Sequence, residues 1–164
     1  MYSIQTYTDT KCELEMAKIR LNLLMDKKEK LYCKYFPLTA GLKEVIVDGG
    51  QKNNDKMADY VHELHEIDIG TGKSLADEIV YQQENVNKLQ TYLAEMSQSL
   101  SRMNGLEYKL YYEIVVKGVS ISKAVDKIAE VSGKDVGTIW KNYYNKIKKY
   151  IKRIDNFADS KQKF

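Results

Sequence analysis

The sequence predicts an all-α protein. A single proline and nine glycines among 164 residues leave few turn residues for a fold built from many strands. Long segments rich in Leu, Lys, Glu, Met and Ala favour helices, because these residues lose little side-chain entropy in helical geometry. Apolar residues also recur at steps of three and four over two long stretches, which is the period of a helix with one buried face. We therefore expect helices throughout the chain.

Composition narrows the class of protein further. Hydrophobic residues make up 43% of the chain and charged residues 30%, which allows both an apolar core and a water-exposed surface. No apolar run approaches the ~18 residues that would span a bilayer, and the first ten residues lack a signal-peptide pattern. The sequence thus predicts a cytoplasmic protein with no membrane partner.

The cysteines and histidines give no indication of a reactive centre. Cys12 and Cys33 lie in the same predicted helix, about 30 Å apart along its axis, so they cannot pair there. His62 and His65 are three residues apart but have no third ligand in register. We expect reduced thiols, no metal, no cofactor and no enzymatic activity.

Residues 1–103 are predicted to form a long, coiled-coil-like helical arm with a loop at about residues 37–55. The first helix is expected from about Asp9 to Tyr35, since Pro37 disfavours helical geometry in the residue before it. A heptad-like seam with one polar interruption follows its length: Leu14, Ala17, Leu21, Leu24, Lys28, Leu31 and Tyr35.

A connector and a short second helix come next. Glycines and asparagines flank a short extended stretch that we expect at Glu44 to Val47. Asp55 is the predicted N-cap of the second helix. One side of this helix is expected to be apolar: Met57, Tyr60, Val61 and Leu64.

The third helix has the most regular pattern in the chain. Ser74 with Asp77 resembles a capping box at its start, and Asn104 with Gly105 ends it. Its seam needs an apolar partner, which either the first helix or a second subunit could supply, so a homodimer is one expectation. The seam residues are Leu75, Ile79, Gln82, Val86, Leu89, Leu93, Met96, Leu100 and Met103.

The C-terminus is locally basic. From Lys134 to Phe164 there are nine basic and three acidic residues, a net charge of +6, whereas the rest of the chain carries a net charge of −3. A basic end on an otherwise slightly acidic chain indicates a polyanionic partner.

Residues 104–164 are predicted to hold three shorter helices. The first spans Leu106 to about Lys117, the second Ser122 to about Ser132, and the last begins at Asp135. Gly118 permits the turn into the second helix, and either Ser120 or Ser122 is expected to cap it. Gly133 allows a left-handed residue at the end of the second helix, and Asp135 is expected to cap the last. The second helix should bury Ala124, Val125, Ile128 and Ala129.

This spacing resembles region four of bacterial sigma factors, a DNA-binding helix-turn-helix. The resemblance is carried by Gly118-Val119-Ser120, Lys127-Ile128-Ala129, Gly133 and Thr138-Ile139. Three positions depart from the pattern. Lys127 replaces a glutamate, Ser132 replaces a leucine whose space Val131 is expected to fill, and Gly137 stands where a larger residue is common.

The resemblance implies that the last helix, at about residues 135–152, enters the major groove of double-stranded DNA. An apolar stripe should face inward: Val136, Ile139, Trp140, Tyr143, Ile147, Tyr150, Ile151 and Ile154. The candidates for contacts with base edges are Thr138, Lys141, Asn142 and Asn145. The candidates for contacts with phosphates are Lys146, Lys148, Lys149, Lys152 and Arg153.

The order of parts along the whole chain resembles phage and prophage transcriptional regulators of the ArpU and RinA type. The resembling stretches are Val47-Asp48-Gly49-Gly50 with Asp55 to Leu64, then Leu75 to Met96, then Leu106 to Ile154. The resemblance implies a regulator of phage genes in a bacterial cell that binds promoter DNA and contacts RNA polymerase.

Three alternatives remain open. A phage small terminase subunit would also join a helix-turn-helix to helical oligomerisation segments. A coiled-coil adaptor would use the seam of the third helix to bind another protein. A nucleotide-binding enzyme is suggested by Gly70-Thr71-Gly72-Lys73-Ser74, the end of a P-loop, but Ile67 replaces its leading glycine and no convincing strand precedes it.

Overall fold

The computed structural model describes residues 2–37 and 51–160, and the predicted all-α class is confirmed, since these residues contain helices and no strand. The connector with the expected extended stretch at Glu44 to Val47 lies outside the described residues. Among the described helices, none is long and apolar enough to cross a membrane. The helices are α1 Tyr2–Tyr35, α2 Gln51–His65, α3 Leu75–Ser101, α4 Leu106–Tyr111 with a π-helical end Tyr112–Val116, α5 Ile121–Ser132, and α6, which is α-helical over Val136–Thr138, π-helical over Ile139–Tyr144 and α-helical over Asn145–Ser160.

Helix α1 begins at Tyr2, ahead of the predicted start at Asp9. Its first turns hold fully buried Ile4 and buried Tyr7, so the apolar face extends upstream of the predicted seam. The buried hydroxyl of Thr8 is satisfied within the helix, because it donates to the carbonyl of Ile4 at 2.7 Å. A polar-looking N-terminus is therefore compatible with a buried helix face.

Helix α2 also begins earlier than expected. It starts at Gln51, so Asp55 lies inside the helix and the prediction that it is the N-cap was wrong. Tyr60 and Leu64 are buried, whereas Met57 and Val61 on the same predicted side are exposed.

The start and the seam of α3 follow the sequence pattern. The backbone N–H of Asp77 donates to the Ser74 hydroxyl at 3.1 Å, and that hydroxyl donates to the Asp77 carboxylate at 2.8 Å, which confirms the capping pair. The seam residues that are buried in the single chain are Ile79, Val86, Leu89, Leu93 and Leu100. The apolar side of this helix is thus largely covered without a second subunit.

The chain divides into two compact units. We call Met1–Met16 with Asn87–Phe164 the C-terminal unit and Ala17–Val86 the arm unit. The core of the C-terminal unit lies among α4, α5 and α6, where the side chains of Leu110, Tyr111, Val125, Ile139 and Ile147 are fully buried. In the arm unit α2 is tied to α1 by an ion pair between Lys34 and Glu63 at 2.8 Å and by a hydrogen bond from Tyr35 to Glu63.

The start of α1 belongs to the C-terminal unit and contacts α4 through hydrogen bonds that the sequence pattern did not indicate. The Tyr111 hydroxyl donates to the Thr8 hydroxyl at 2.8 Å, since the Thr8 proton is engaged by Ile4. Lys11 donates to the carbonyl of Val115 at 3.1 Å. Burial raises the pKa of Tyr111 far above its ordinary value, so this phenol stays protonated as a donor.

Candidate nucleic-acid interface

The turn between α5 and α6 has the geometry that its residues predict. Gly133 has φ +67°, a left-handed conformation that ends α5. The Asp135 carboxylate then caps α6 by accepting from the N–H groups of Gly137 at 2.9 Å and Thr138 at 3.2 Å. The hydroxyl of Thr138 donates to the same carboxylate. These hydrogen bonds, that from the Thr138 hydroxyl above all, hold the pKa of Asp135 below its ordinary value.

The turn before α5 agrees only in part. Gly118 has φ +69°, as the tight turn requires, and the four residues predicted to be buried on α5 are buried. Ser120 occupies the N-cap position, but its side chain makes no capping hydrogen bond, and Ser122 lies inside the helix. The expectation of a serine side-chain cap was therefore wrong.

At Ser132, one departure from the sigma pattern, the neighbouring Val131 does not take the place of the missing leucine. Val131 was expected to occupy the space left by Ser132, but its side chain is 70% exposed. The Ser132 hydroxyl instead donates to the carbonyl of Ala129 at 3.4 Å, a helix-internal bond that satisfies it locally.

A second departure, Lys127, has a structural reason. Its ammonium lies 2.9 Å from the carboxylate of Glu113, which is buried at the end of α4 and also accepts from Lys117 at 2.8 Å. Burial alone would raise the pKa of Glu113, but the hydrogen bonds from the two lysines outweigh it and the pKa is lowered. Lys127 on α5 thus supplies positive charge that stabilises the ionised carboxylate of Glu113 on α4.

A reversal of charge at one partner of this ion pair should be tolerated only when the other partner is reversed as well. We expect Lys127→Glu to lower the free energy of unfolding by about 1–2 kcal/mol, because it places two carboxylates side by side. Glu113→Lys with Lys127→Glu should recover at least half of that loss in urea unfolding. Lys123→Glu, an exposed position on the same helix, is the control and should change little.

If the double variant is no more stable than Lys127→Glu, this assignment of the ion pair is wrong.

The pH dependence of stability offers a second check. Because the folded-state pKa of Glu113 is lowered, its contribution to stability is present above the ordinary glutamate pKa and is lost as pH falls through the lowered value. Glu113→Gln should flatten that part of the acid-unfolding profile.

The inward face of α6 is set by its π-helical segment. Ile139 and Ile147 are fully buried, and Tyr144, which the predicted stripe left out, is buried as well. A π-helix brings residues five apart onto one side, so Tyr144 follows Ile139 in place of Tyr143. Tyr143 is accordingly only half-buried, and Val136 at the start of the stripe is 42% exposed.

The candidate DNA-contacting residues lie on the outward face of α6. Thr138 is half-buried, and the others are exposed: Lys141, Asn142, Asn145, Lys146, Lys148, Lys149, Lys152 and Arg153. Within the described residues, the side chains of Lys141, Asn142, Lys148 and Lys152 make no hydrogen bond or ion pair. This leaves a row of uncommitted cations and an amide along one side of the helix.

Other candidates on this face already have partners. Arg153 forms an ion pair with Asp9 of α1 at 2.5 Å, and the Asn145 amide donates to the carbonyl of Lys141 at 3.3 Å. Lys146 and Lys149 lie over the rings of Tyr143 and Tyr150 at 5.8 Å and 4.8 Å from the centroids. A phosphate could draw the lysines away from these rings, whereas Arg153 would have to leave a carboxylate.

The P-loop-like segment does not have the geometry of a nucleotide site. Its loop is closed by backbone hydrogen bonds between Asp68 and Lys73 at 3.1 Å and between Gly72 and Asp68 at 2.7 Å. The Ser74 hydroxyl, which such a motif uses for a metal ion, is buried and engaged on both sides by Asp77. The histidines on α2 are exposed, and no cluster of three or more His, Cys, Asp or Glu suited to a metal occurs in the described part of the chain.

No family model, curated protein or solved structure matches this chain.

Proposed function

We propose that this chain is a sequence-specific, double-stranded DNA-binding regulator of transcription, with the outward face of α6 in the major groove. The observation that carries the proposal is the division of α6 into two faces. Ile139, Tyr144 and Ile147 anchor the helix in the core, while lysine and asparagine side chains cover the opposite face. A helix held by one face and exposing donors on the other has the form that major-groove reading requires.

The position of these side chains along α6 suggests a division of roles. Lys141 and Asn142 lie near the capped start of the helix, the part that reads base edges in a helix-turn-helix. Asparagine pairs well with adenine, and lysine with guanine. Lys148, Lys149 and Lys152 lie further along and would neutralise phosphates. The fixed turn at Gly133 and Asp135 would hold the two groups in register.

The biological setting follows from the sequence resemblance. We propose a regulator of phage or prophage genes that acts in the cytoplasm of a bacterial cell and contacts RNA polymerase. A homodimer would match paired half-sites on DNA. Since the α3 seam is largely buried in the single chain, such a dimer would have to use other surfaces.

Selection from a random double-stranded DNA library with the purified full-length chain tests this function. We expect enrichment of one consensus sequence and binding that weakens as salt rises. A failure to retain any DNA at low salt would contradict DNA binding and favour the adaptor alternative. Enrichment together with a large subunit ring in solution would favour the terminase alternative.

A further inference from the structure

The arm unit contains an open pocket between α1 and α2, with a volume of about 370 Å³. Two of its walls are tyrosine rings that meet nearly at right angles: Tyr32 and Tyr60 have centroids 5.5 Å apart and an interplanar angle of 87°. Tyr60 is 8% exposed and firmly placed, whereas Tyr32 remains 44% exposed. The other residues that line the pocket are Met25, Asp26, Lys28 and Glu29.

The aromatic walls are supported by their neighbours. Phe36 lies against Tyr32 with ring centroids 4.9 Å apart, and Tyr35 meets Tyr60 edge-on at 6.4 Å. The hydrogen bond and the ion pair from α1 to Glu63 keep α2 at this level of α1. The rings are therefore held in place by packing on the arm unit itself.

The rim of the pocket is acidic. Asp26 and Glu29 are both exposed, and neither has an ion-pair partner among the described residues. Lys28 also lines the pocket, yet within the described residues its ammonium lies over neither tyrosine ring. Two carboxylates against the one ammonium of Lys28 leave the lining with a net negative charge, beside two perpendicular aromatic rings.

We propose that this pocket binds the guanidinium group of an arginine presented by a protein partner. A guanidinium is flat and weakly hydrated, so it can stack on one tyrosine ring while its N–H groups reach the carboxylates. Asp26 and Glu29 would accept those hydrogen bonds, and Met25 would contact the aliphatic stem. The acidic rim argues against an anionic or purely apolar occupant. The arm unit would then be the surface that recruits a basic protein.

Titration of the full-length chain with N-acetyl-arginine amide, followed by NMR of the tyrosine rings, tests this inference. We expect saturable shifts at Tyr32 and Tyr60 and none at Tyr92, an exposed tyrosine in the C-terminal unit. The citrulline analogue, which has nearly the same shape but no charge, should bind at least about fivefold more weakly. Equal responses to the two compounds, or no saturable shift, would overturn the proposal.

Substitutions in the pocket test whether the arginine probe binds there. Tyr32→Leu and the double change Asp26→Asn with Glu29→Gln should each weaken binding of the arginine probe roughly fivefold, judged from other signals of α1 and α2. Tyr92→Leu is the matched control and should leave the affinity unchanged. Unaltered affinity in both pocket variants would contradict the assignment. The outcome does not depend on DNA binding, because no residue of α6 takes part.

Discussion

Lys141→Ala and Asn142→Ala are each expected to weaken binding of the selected DNA sequence by roughly 5- to 100-fold. A side chain that pairs well with a base edge contributes about 1–3 kcal/mol of discrimination, and both side chains are exposed near the start of α6 without a partner in the described residues. The loss of sequence discrimination should be confined to one or two base positions, because a truncated side chain no longer distinguishes its base. Competition binding against single-base variants of the consensus measures this.

Lys88→Ala is the control for these two substitutions. It removes an exposed lysine from α3, in the same unit but away from the proposed interface. We expect its affinity for DNA to equal that of the wild type. If both α6 variants also bind as the wild type does, the assignment of base-reading residues is wrong, whatever the protein does with DNA.

Tyr111→Ala is expected to lower the free energy of unfolding by about 3–5 kcal/mol, the range for removal of a buried aromatic ring. Tyr111 is fully buried in the C-terminal unit, where it packs edge-on against Tyr7 at 6.0 Å and donates to Thr8. The loss would be a large part of the 5–15 kcal/mol or so that keeps a typical domain folded. Urea unfolding followed by circular dichroism measures it.

Tyr111→Phe separates the ring from the hydroxyl. It keeps the packing and removes one hydrogen bond, while the Thr8 hydroxyl still donates to the carbonyl of Ile4. We expect a loss of about 1 kcal/mol. Similar small losses for Ala and Phe would show that α4 does not pack against the start of α1 as described.

Local sequence signals predicted several features that local interactions determine. The capping pair of Ser74 with Asp77, the left-handed Gly133 and the Asp135 cap each involve residues within a few positions of one another. Such contacts depend on backbone geometry that a short sequence fixes almost alone. These three features were therefore predictable from nearby residues, whereas the caps expected at Asp55 and at Ser120 or Ser122 were wrong.

The remaining features depend on contacts far apart in sequence or on an irregular helix. Tyr144 was missed because a 3.6-residue period does not include a π-helical turn. The contact between Asp9 and Arg153 joins residues 144 positions apart, and no local pattern signals it. The departure of Lys127 from the sigma pattern is explained by Glu113 on another helix, whose charge it balances. For Arg153 and Lys127 the missing information lay in the tertiary partner, and for Tyr144 it lay in the irregular helix.

The salt dependence of the wild-type affinity for the selected DNA tests most directly whether the outward face of α6 meets a phosphate backbone. We expect the logarithm of the association constant to fall linearly with the logarithm of salt concentration, with a slope of about −0.9 for each phosphate contacted. Replacing Lys148, Lys149 and Lys152 together by alanine should make that slope shallower by roughly 2 to 3. An affinity that does not change with salt, or a slope that the triple variant leaves unchanged, would contradict the proposed interface.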